Sequence, residues 1–336
     1  MNWIITLFVC FFLFYSQPIC VPAVQDKRLF AYVGGVGELV KIDMQTFKII
    51  KTLSDKNLGI LPIIQIRPDG RELYVTGEWF RAPMIVINAK TLEITRKLSE
   101  EGFENARTGL GYDCRGKLSP DGRRIAFSCL GPAPFALIDT TSLRAIRHFG
   151  ELGTNPLFEA IFSDDSKLLY ILSRHQDKQG KRIDGIKLII VETETGNVLK
   201  EVPLPELKKI KCNTNISTFT GEDSNINITT NCNFTHGWGG LHKEDTVYPF
   251  IERNKSKVIM IIELKTGRII KKIPLPDGRG EPNQITLTPD GKSLLIGRGG
   301  YRDPGELTIL DVGSKKVIKR IILEGGAASN VVFGYE

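Results

Sequence analysis

The stretch Lys117–Ser128, KLSPDGRRIAFS, contains two short apolar strands joined by a Pro-Asp-Gly turn, which is the pattern of a β-hairpin. Similar segments occur three more times, as IRPDGRELYVTG (Ile66–Gly77), FSDDSKLLYILS (Phe162–Ser173) and LTPDGKSLLIGR (Leu287–Arg298). The segments recur at roughly 44 to 52 residues, with one longer interval. A repeat of this length predicts a series of small antiparallel sheets.

A second pattern accompanies the hairpins and consists of an apolar strand, a short polar turn and an alternating strand. It occurs six times, at residues 40–53, 85–98, 136–149, 189–202, 260–273 and 308–321. The two patterns together predict an all-β chain built from units of four strands.

The two ends of the repeat region complement each other. RLFAYVGG (Arg28–Gly35) reads as a second strand without a first, and GGAASNVVFGYE (Gly325–Glu336) reads as a first strand without the others. Pairing these fragments closes a ring and removes exposed sheet edges. We therefore predict one domain over residues 24–336, a β-propeller of six blades closed by the C-terminal strand. Seven blades are the alternative if the insertion at about 205–245 contains another.

The N-terminus predicts export. Trp3–Tyr15 is an apolar run of thirteen residues, which is typical of a signal peptide, and Val21-Pro22-Ala23 fits a cleavage site. We expect residues 1–23 to be removed and the protein to be periplasmic or secreted, without stable insertion in a membrane. A retained N-terminal anchor is the alternative.

Export makes disulfides the favoured interpretation of the cysteines. Four would remain after cleavage, and three pairings of them are formally possible. Cys114 and Cys129 lie symmetrically about the turn at Asp121-Gly122, so we predict that they pair. Cys212 would then pair with Cys232 and close the polar insertion.

The formal net charge of +7 favours anionic ligands or an acidic protein partner. Lysine and arginine are spread through strands and turns, with no basic run interleaved with aromatic residues. The sequence therefore does not indicate a nucleic-acid-binding protein.

The repeat units RPDGRELYVTG, SPDGRRIAFS and TPDGKSLLIG resemble the YVTN-type β-propeller repeat of exported bacterial and archaeal proteins. The length, the export signal and the ending ILEGGAASNVVFGYE are similar to the propeller (beta) subunits of quinohaemoprotein amine dehydrogenases and, more distantly, to methylamine dehydrogenase heavy chains. This resemblance implies no cofactor in the chain itself, with haem and a peptide-derived quinone in partner subunits.

Candidate binding residues concentrate in the long connections of the predicted blades. Aromatic and arginine side chains anchor interfaces, and these loops carry Trp79, Arg81, Arg107, Trp238, Tyr301 and Arg302. Weaker candidates for a metal site are Asp113, Glu159, His236 and His242. No pattern for nucleophilic catalysis is present in the sequence.

These observations predict a non-catalytic exported propeller that acts as a binding or scaffold subunit, in a periplasmic redox complex of the amine dehydrogenase type. A metal-dependent lactonase or hydrolase with a cation in the channel is one alternative. A stand-alone surface or periplasmic recognition protein is the other.

Overall fold

A computed structural model of the chain describes residues 28–336 except for 56, 79, 81, 102, 104–113, 130–134, 150–158, 164, 177–181, 205–215, 223–224, 231–246, 253–257, 264–268, 281, 301–303, 327 and 329. Within the described residues the chain forms strands and turns and no helix, which confirms the predicted all-β class. These residues accordingly contain no helix capable of crossing a membrane. The predicted signal peptide, residues 1–23, lies outside them.

The strands form five antiparallel sheets of four strands, one of three strands and one separate hairpin. Sheet 1 contains β1 (Leu29–Gly35), β2 (Glu38–Asp43), β3 (Lys48–Ser54) and the last strand, β25 (Asn330–Tyr335). Sheet 2 contains β4 (Ile60–Ile66), β5 (Glu72–Glu78), β6 (Ile85–Asn88) and β7 (Ile94–Lys97). Sheet 3 contains β8 (Cys114–Leu118), β9 (Arg124–Cys129), β10 (Phe135–Asp139) and β11 (Arg144–Phe149).

The second half of the chain continues the series. Sheet 4 contains β12 (Glu159–Phe162), β13 (Leu168–Gln176), β14 (Arg182–Glu192) and β15 (Val198–Leu204). The hairpin consists of β16 (Ile216–Glu222) and β17 (Asn225–Thr230). Sheet 5 contains β18 (Val247–Glu252), β19 (Val258–Glu263) and β20 (Ile269–Pro274). Sheet 6 contains β21 (Pro282–Leu287), β22 (Ser293–Arg298), β23 (Gly305–Asp311) and β24 (Val317–Leu323).

The C-terminal strand completes the first sheet, as the sequence predicted. β25 pairs antiparallel with β1, from Leu29 opposite Tyr335 to Gly34 opposite Asn330. The backbone groups of Arg28 and Glu336 add two further hydrogen bonds, of 2.8 and 2.9 Å. Sheet 1 therefore joins the two ends of the described chain.

The Pro-Asp-Gly turns owe their shape to a short polar network. In sheet 3 the Ser119 hydroxyl donates to the Asp121 carboxylate at 2.6 Å and accepts from the backbone N–H of Arg124 at 2.9 Å. Gly122 has a φ of +72°, which glycine adopts without strain. In sheet 4 Ser166 takes the equivalent left-handed conformation, with a φ of 60°. The repeated Ser/Thr and Asp of the sequence therefore specify the turn even where glycine is absent.

The Pro-Asp-Gly turns and the turns between third and fourth strands lie at the same end of the sheets. We call this end the turn end. The opposite end, which carries the other connections, is the loop end. In sheet 1 the first strand by position is β25, followed by β1, β2 and β3. The first strands of sheets 6, 1, 2 and 3, which are β21, β25, β4 and β8, lie side by side in that order, and we call the first strands the inner strands. The fourth strands, at the other edge, are the outer strands.

Each outer strand contains one bulge at the same place. One residue per strand has no partner in the register, so two outer-strand residues oppose one residue of the neighbouring strand. These bulge residues are Ile50, Thr95, Ile146, Leu199, Ile270 and Ile318. A lysine or arginine follows the bulge residue in all six strands. The bulge is thus part of the repeat.

Apolar cores lie between neighbouring sheets. Described residues form five such cores, between sheets 5 and 6, 6 and 1, 1 and 2, 2 and 3, and 3 and 4. Tyr32, Tyr74 and Phe127 are among the largest side chains in them and are fully buried. Each buried aliphatic side chain contributes about 1.5–3 kcal/mol through the hydrophobic effect. Face-to-face packing of successive sheets is therefore the main source of stability.

The predicted pairing of Cys114 with Cys129 is confirmed. The two residues lie directly opposite each other on β8 and β9, with Cα atoms 3.9 Å apart, and a disulfide joins them. Both are buried in the core between sheets 2 and 3. Cys212 and Cys232 lie outside the described residues, so their pairing stays a prediction.

Removing this disulfide should lower stability without changing the fold. The variant Cys114→Ala/Cys129→Ala opens a loop with a sequence separation of 15 residues, so we expect a loss of about 3 kcal/mol from the greater freedom of the unfolded chain. Urea unfolding of the non-reduced proteins measures the difference. An unchanged free energy of unfolding would contradict a stabilising effect of the disulfide on the unfolded chain.

Candidate functional site

The binding residues predicted from the sequence are not among the described residues. Outside the described residues lie Trp79, Arg81, Arg107, Trp238, Tyr301 and Arg302, and also Asp113, His236 and His242. Glu159 begins the inner strand β12. The described residues contain no group of three His, Cys, Asp or Glu side chains able to hold a metal ion. The predicted binding roles therefore stay predictions.

At the turn end, cations of one sheet donate to backbone carbonyl groups of the next. Arg96 of sheet 2 reaches two carbonyl groups in the last turn of sheet 3, at 2.9 and 3.0 Å. Arg147 of sheet 3 reaches the carbonyl of Gly196 in sheet 4 at 3.2 Å, and Lys271 of sheet 5 reaches that of Val312 in sheet 6. All three cations directly follow a bulge residue. The turn end is thus used for contacts between sheets.

Sheet 1 makes the same kind of contact with a cation from a different strand. Lys41 of β2 is 3% exposed and donates to the Ala89 carbonyl of sheet 2 at 3.2 Å. Its ammonium group also forms an ion pair of 2.6 Å with Glu336 and lies 4.4 Å from the centre of the Phe30 ring. This buried lysine therefore ties the C-terminal residue to sheets 1 and 2.

A network around Glu72 supports the same end between sheets 2 and 3. The Glu72 carboxylate pairs with Arg67 at 3.1 Å and with Arg96 at 2.7 Å. The Tyr74 hydroxyl donates to it at 2.9 Å. Burial, together with this hydrogen bond, raises the pKa of Tyr74 to about 12. The phenol therefore stays protonated at neutral pH and acts as a structural donor.

Along the inner strands, amide side chains connect neighbouring sheets. The Gln284 carbonyl oxygen, on β21, accepts from the backbone N–H of Val331 on β25 at 3.1 Å. The Asn330 carbonyl oxygen, on β25, accepts from the N–H of Ile64 on β4 at 2.9 Å. Gln284 is 1% exposed and Asn330 is 5% exposed. A buried amide thus satisfies a strand-edge N–H at two successive sheet boundaries.

The next two boundaries depart from this pattern, because Ile63 of β4 and Arg115 of β8 take the equivalent position. When the sheets are aligned by the register of their first and second strands, Arg115 of β8 takes the position that Gln284 and Asn330 take in their sheets. A guanidinium group has only donors, so Arg115 has no acceptor to offer to the N–H of the next inner strand, β12. The structure therefore places a cation where the boundaries between sheets 6 and 1 and between sheets 1 and 2 have an acceptor.

Lys117 adds a second cation on the same face of β8. Cys114 and Leu118 point into the core with sheet 2, so the alternating Arg115 and Lys117 point towards sheet 4. Lys117 is partly exposed, yet protein surrounds its amine closely enough that burial lowers its pKa. It forms no hydrogen bond or ion pair in the described part of the chain. Arg115 and Lys117 form what we call the axial cation pair.

Sequence reasoning did not single out this pair, although the repeat contains the signal. Lys117 lies four residues before Asp121 of its turn, and Thr286 lies at the same distance before Asp290. Aligning the repeats on the turn would have shown a lysine at an inner-strand position. That none of the described carboxylates pairs with Lys117 depends on contacts between sheets, which the alignment does not contain.

A buried carboxylate lies at the loop end between sheets 6 and 1. Glu38 is 6% exposed and accepts from the Gly325 N–H at 3.0 Å. A Cβ atom on Gly325 would lie 2.6 Å from its carboxyl carbon, and one on Gly35 would lie 2.8 Å from its Cγ. Burial raises the pKa of Glu38, the Gly325 N–H opposes this, and the neighbouring Glu324 adds to it. The glycines therefore make room for an acid whose neutral form is favoured.

Replacing this acid with its neutral isostere should stabilise the protein above acidic pH. In the folded state the pKa of Glu38 lies above its ordinary value of 4.5, so its contribution to stability is complete below that value and falls as pH rises through the folded pKa. We expect Glu38→Gln to match the wild-type urea midpoint at about pH 4 and to exceed it at about pH 8. A lower midpoint at both pH values would show that the charged form is stabilising.

Arg298 and Glu306 support the loop end of sheet 6. Arg298 donates to the carbonyl groups of Pro276 at 2.5 Å and Gly280 at 3.1 Å, which fixes the connection from sheet 5. Glu306 pairs with Arg320 at 2.5 Å. Burial alone would raise the pKa of Glu306, but hydrogen bonds from Thr308 and Arg320 outweigh it and lower the pKa. Both side chains have structural contacts.

Comparison with known proteins shows likeness at the level of the fold. No protein-family model matches the chain, and no curated protein matches its sequence. Many solved structures are similar, and three of them illustrate the likeness. Dihydro-heme d1 dehydrogenase NirN in complex with DHE has a TM-score of 0.54 and 15% identity, covering 90% of this chain and 74% of that one.

The other two cover nearly all of both chains. Apo AztD from Citrobacter koseri has a TM-score of 0.56 and 12% identity, covering 92% of this chain and 98% of that one. A hypothetical selenium-binding protein from Sulfolobus tokodaii has a TM-score of 0.60 and 10% identity, covering 92% and 94%. The YVTN-type and amine dehydrogenase resemblances are not confirmed by these matches. At such low identities the likeness shows the fold alone, which is a β-propeller-like arrangement of four-stranded sheets.

Proposed function

We propose that this chain is an exported, non-catalytic binding protein in which residues 24–336 form one six-bladed β-propeller. The axial cation pair, Arg115 and Lys117, would receive acidic groups of a protein partner.

The order of the sheet interfaces supports a ring. Sheets 5, 6, 1, 2, 3 and 4 pack face to face in that sequence, so one further contact between sheets 4 and 5 closes the circle. The hairpin β16–β17 lies beside the inner strand β12 and belongs to the insertion in this arrangement. In the seven-bladed alternative it would be part of an additional blade.

The observation that carries the binding role is the environment of Lys117. Burial penalises its charged form, and the described part of the chain supplies no carboxylate to compensate. Arg115 lies two residues away on the same face, where other sheet boundaries use an amide oxygen. A carboxylate from outside would supply the countercharge that the described residues do not give Lys117. The net charge of +7 would attract an acidic protein to this position.

Affinity purification from the exported fraction of native cells tests the proposal. We would compare the tagged wild-type protein with Lys117→Gln and with Lys167→Gln, using mass spectrometry and a visible absorption spectrum of the eluate. Lys167 is a matched control because it lies at the turn end of sheet 4 with its side chain 80% exposed. We expect an acidic partner to be retained by wild type and by Lys167→Gln, and to be lost by Lys117→Gln. A haem spectrum would identify a partner of the redox class that the sequence resemblance implied.

Calorimetry with a hexaglutamate peptide as the probe tests the same site without the native partner. Because binding restores the charged form of a lysine whose pKa burial has lowered, the reaction should take up protons at alkaline pH. This uptake appears as a dependence of the measured heat on the ionisation enthalpy of the buffer, and it should vanish in Lys117→Gln. Equal binding by wild type and Lys117→Gln would overturn the axial site.

A further inference from the structure

Sheet 5 has no inner strand in the described part of the chain. It contains only β18, β19 and β20, and β20 carries the bulge that marks an outer strand. β19 is therefore the third strand of this sheet and β18 the second. No described strand is hydrogen-bonded to the other side of β18. Among the described residues this side is an open sheet edge, and we call it the β18 edge.

The register shows that β18 is equivalent to the second strands of the other sheets. In sheets 2, 3, 4 and 6 the first residue of the second strand lies opposite the last residue of the third strand. Val247 and Glu263, the corresponding residues of β18 and β19, lie opposite each other in the same way. The residues of β18 can therefore be aligned one by one with those of the other second strands.

A constant spacing locates the segment that would pair with the β18 edge. In sheets 2, 3, 4 and 6 five residues separate the inner strand from the second strand, at 67–71, 119–123, 163–167 and 288–292. Counting five residues back from Val247 leaves 242–246 for the turn, so that an inner strand would end at Leu241. A strand with the five-residue length of β8 would cover residues 237–241, GWGGL. These residues lie outside the described part of the chain.

We propose that residues 237–241 dock on the β18 edge as the inner strand of sheet 5. In sheets 2, 3, 4 and 6 the last residue of the inner strand pairs with the second residue of the second strand. By the same rule Leu241 pairs with Tyr248, and Gly237 pairs with Glu252. The occupant of the edge is thus the adjoining part of this chain, which reaches it through a turn of the usual length. The insertion then ends before residue 237.

The docked strand assigns a position to Trp238, one of the binding residues predicted from the sequence. Trp238 lies three residues before the end of this strand, where β21 has Gln284 and β8 has Arg115. At the boundary between sheets 6 and 1, the residue at this position connects one inner strand to the next. Trp238 therefore belongs to the inner strands that surround the axis. This placement is independent of the binding role proposed for Lys117.

Pro249 makes the β18 edge weaker than the equivalent edges. Val331 of β25 donates its N–H to Gln284, away from β1, so the next pair, Tyr32 and Val332, is the one that exchanges hydrogen bonds. Pro249 takes the position of Tyr32 in the register of second and third strands. Because proline has no N–H, one hydrogen bond to the inner strand is missing. We therefore expect residues 237–241 to be held less tightly than the other inner strands.

An engineered disulfide at the position of the native Cys114–Cys129 bond tests the proposal. Each of these cysteines lies four residues from the last pair between β8 and β9, and Gly237 and Glu252 hold the same position in the proposed sheet 5. We expect Gly237→Cys/Glu252→Cys to form an intramolecular disulfide, identified by mass spectrometry of a non-reduced digest. Leu241→Cys/Tyr248→Cys tests the same register at the other end of the strand. Circular dichroism with urea selects the variants that fold cooperatively.

Gly237→Cys/Ile251→Cys is the matched control. A shift of one residue along β18 turns the second cysteine to the opposite face of the sheet, so the two thiols cannot meet in disulfide geometry. We expect this variant to keep both new thiols free. A bond between residues 237 and 251, with none between 237 and 252, would contradict the register.

Two further results would overturn the proposal. One is a folded variant of either test pair in which the new cysteines stay free or bond only to Cys212 or Cys232. The other is a dimer linked between the two new positions, which would assign the β18 edge to a strand of a second copy. Because Lys117 is unchanged in all these variants, hexaglutamate binding reports separately on the axial site.

Discussion

Deleting residues 330–336 should abolish cooperative folding. The deletion removes β25, the inner strand of sheet 1, and with it the Asn330 acceptor of the Ile64 N–H. It also leaves Lys41, which is 3% exposed, without its Glu336 partner. Breaking a buried ion pair alone costs about 3–5 kcal/mol, a large part of the stability of an ordinary domain. We expect circular dichroism to show no cooperative urea transition for the truncated protein.

Addition of the missing strand as a peptide provides the control. A synthetic peptide of residues 328–336 should restore a cooperative transition, because β25 pairs with β1 through backbone groups that a separate strand can supply. A peptide with Asn330→Ala should restore it less well. A truncated protein with the wild-type urea midpoint would show that β25 is dispensable.

The substitution Gly305→Ala should be almost as damaging. A Cβ atom at this position would lie 1.8 Å from the backbone oxygen of Gly326 and 2.9 Å from the backbone nitrogen of Ala328. Both atoms belong to the segment that leads into β25, and backbone atoms cannot rotate away as a side chain can. We expect a loss of about 3 kcal/mol or more, measured by urea unfolding.

Gly313→Ala is the matched control for this prediction. Its Cβ atom would meet only the Asp311 carboxylate, at 3.3 Å, and the residue lies in an exposed turn. We expect a change within about 0.5 kcal/mol. Similar losses for both variants would mean that the close approach at Gly305 does not limit stability.

The architecture was predictable because two local signals repeat along the chain. The Pro-Asp-Gly turns identified the hairpins, and the incomplete ends of the repeat identified the pairing of β25 with β1. The disulfide was predictable because Cys114 and Cys129 are symmetric about one turn. Between β15 and β19 the chain has no such signal, and there the described strands are the hairpin β16–β17 and β18.

The candidate site was less predictable because its chemistry arises between sheets. The sequence drew attention to aromatic and arginine residues in loops, whereas the described structure draws attention to Lys117 and Glu38. Both have pKa values shifted by burial, and burial depends on which sheet packs against which. Composition and local pattern do not contain that information.

One set of contacts between sheets has a single direction, and this bears on how such a chain could change its number of repeats. Arg96, Arg147 and Lys271 each donate from their own sheet to the one that follows in the chain. The side-chain oxygens of Gln284 and Asn330 likewise reach forward, from sheet 6 to sheet 1 and from sheet 1 to sheet 2. A tandem duplication of one whole four-stranded unit would add a side chain that bonds to the following sheet. It would also add the backbone group that bonds to the side chain of the preceding sheet. After the gain or loss of one repeat, each of these side chains would therefore still have a hydrogen-bond partner in the next sheet.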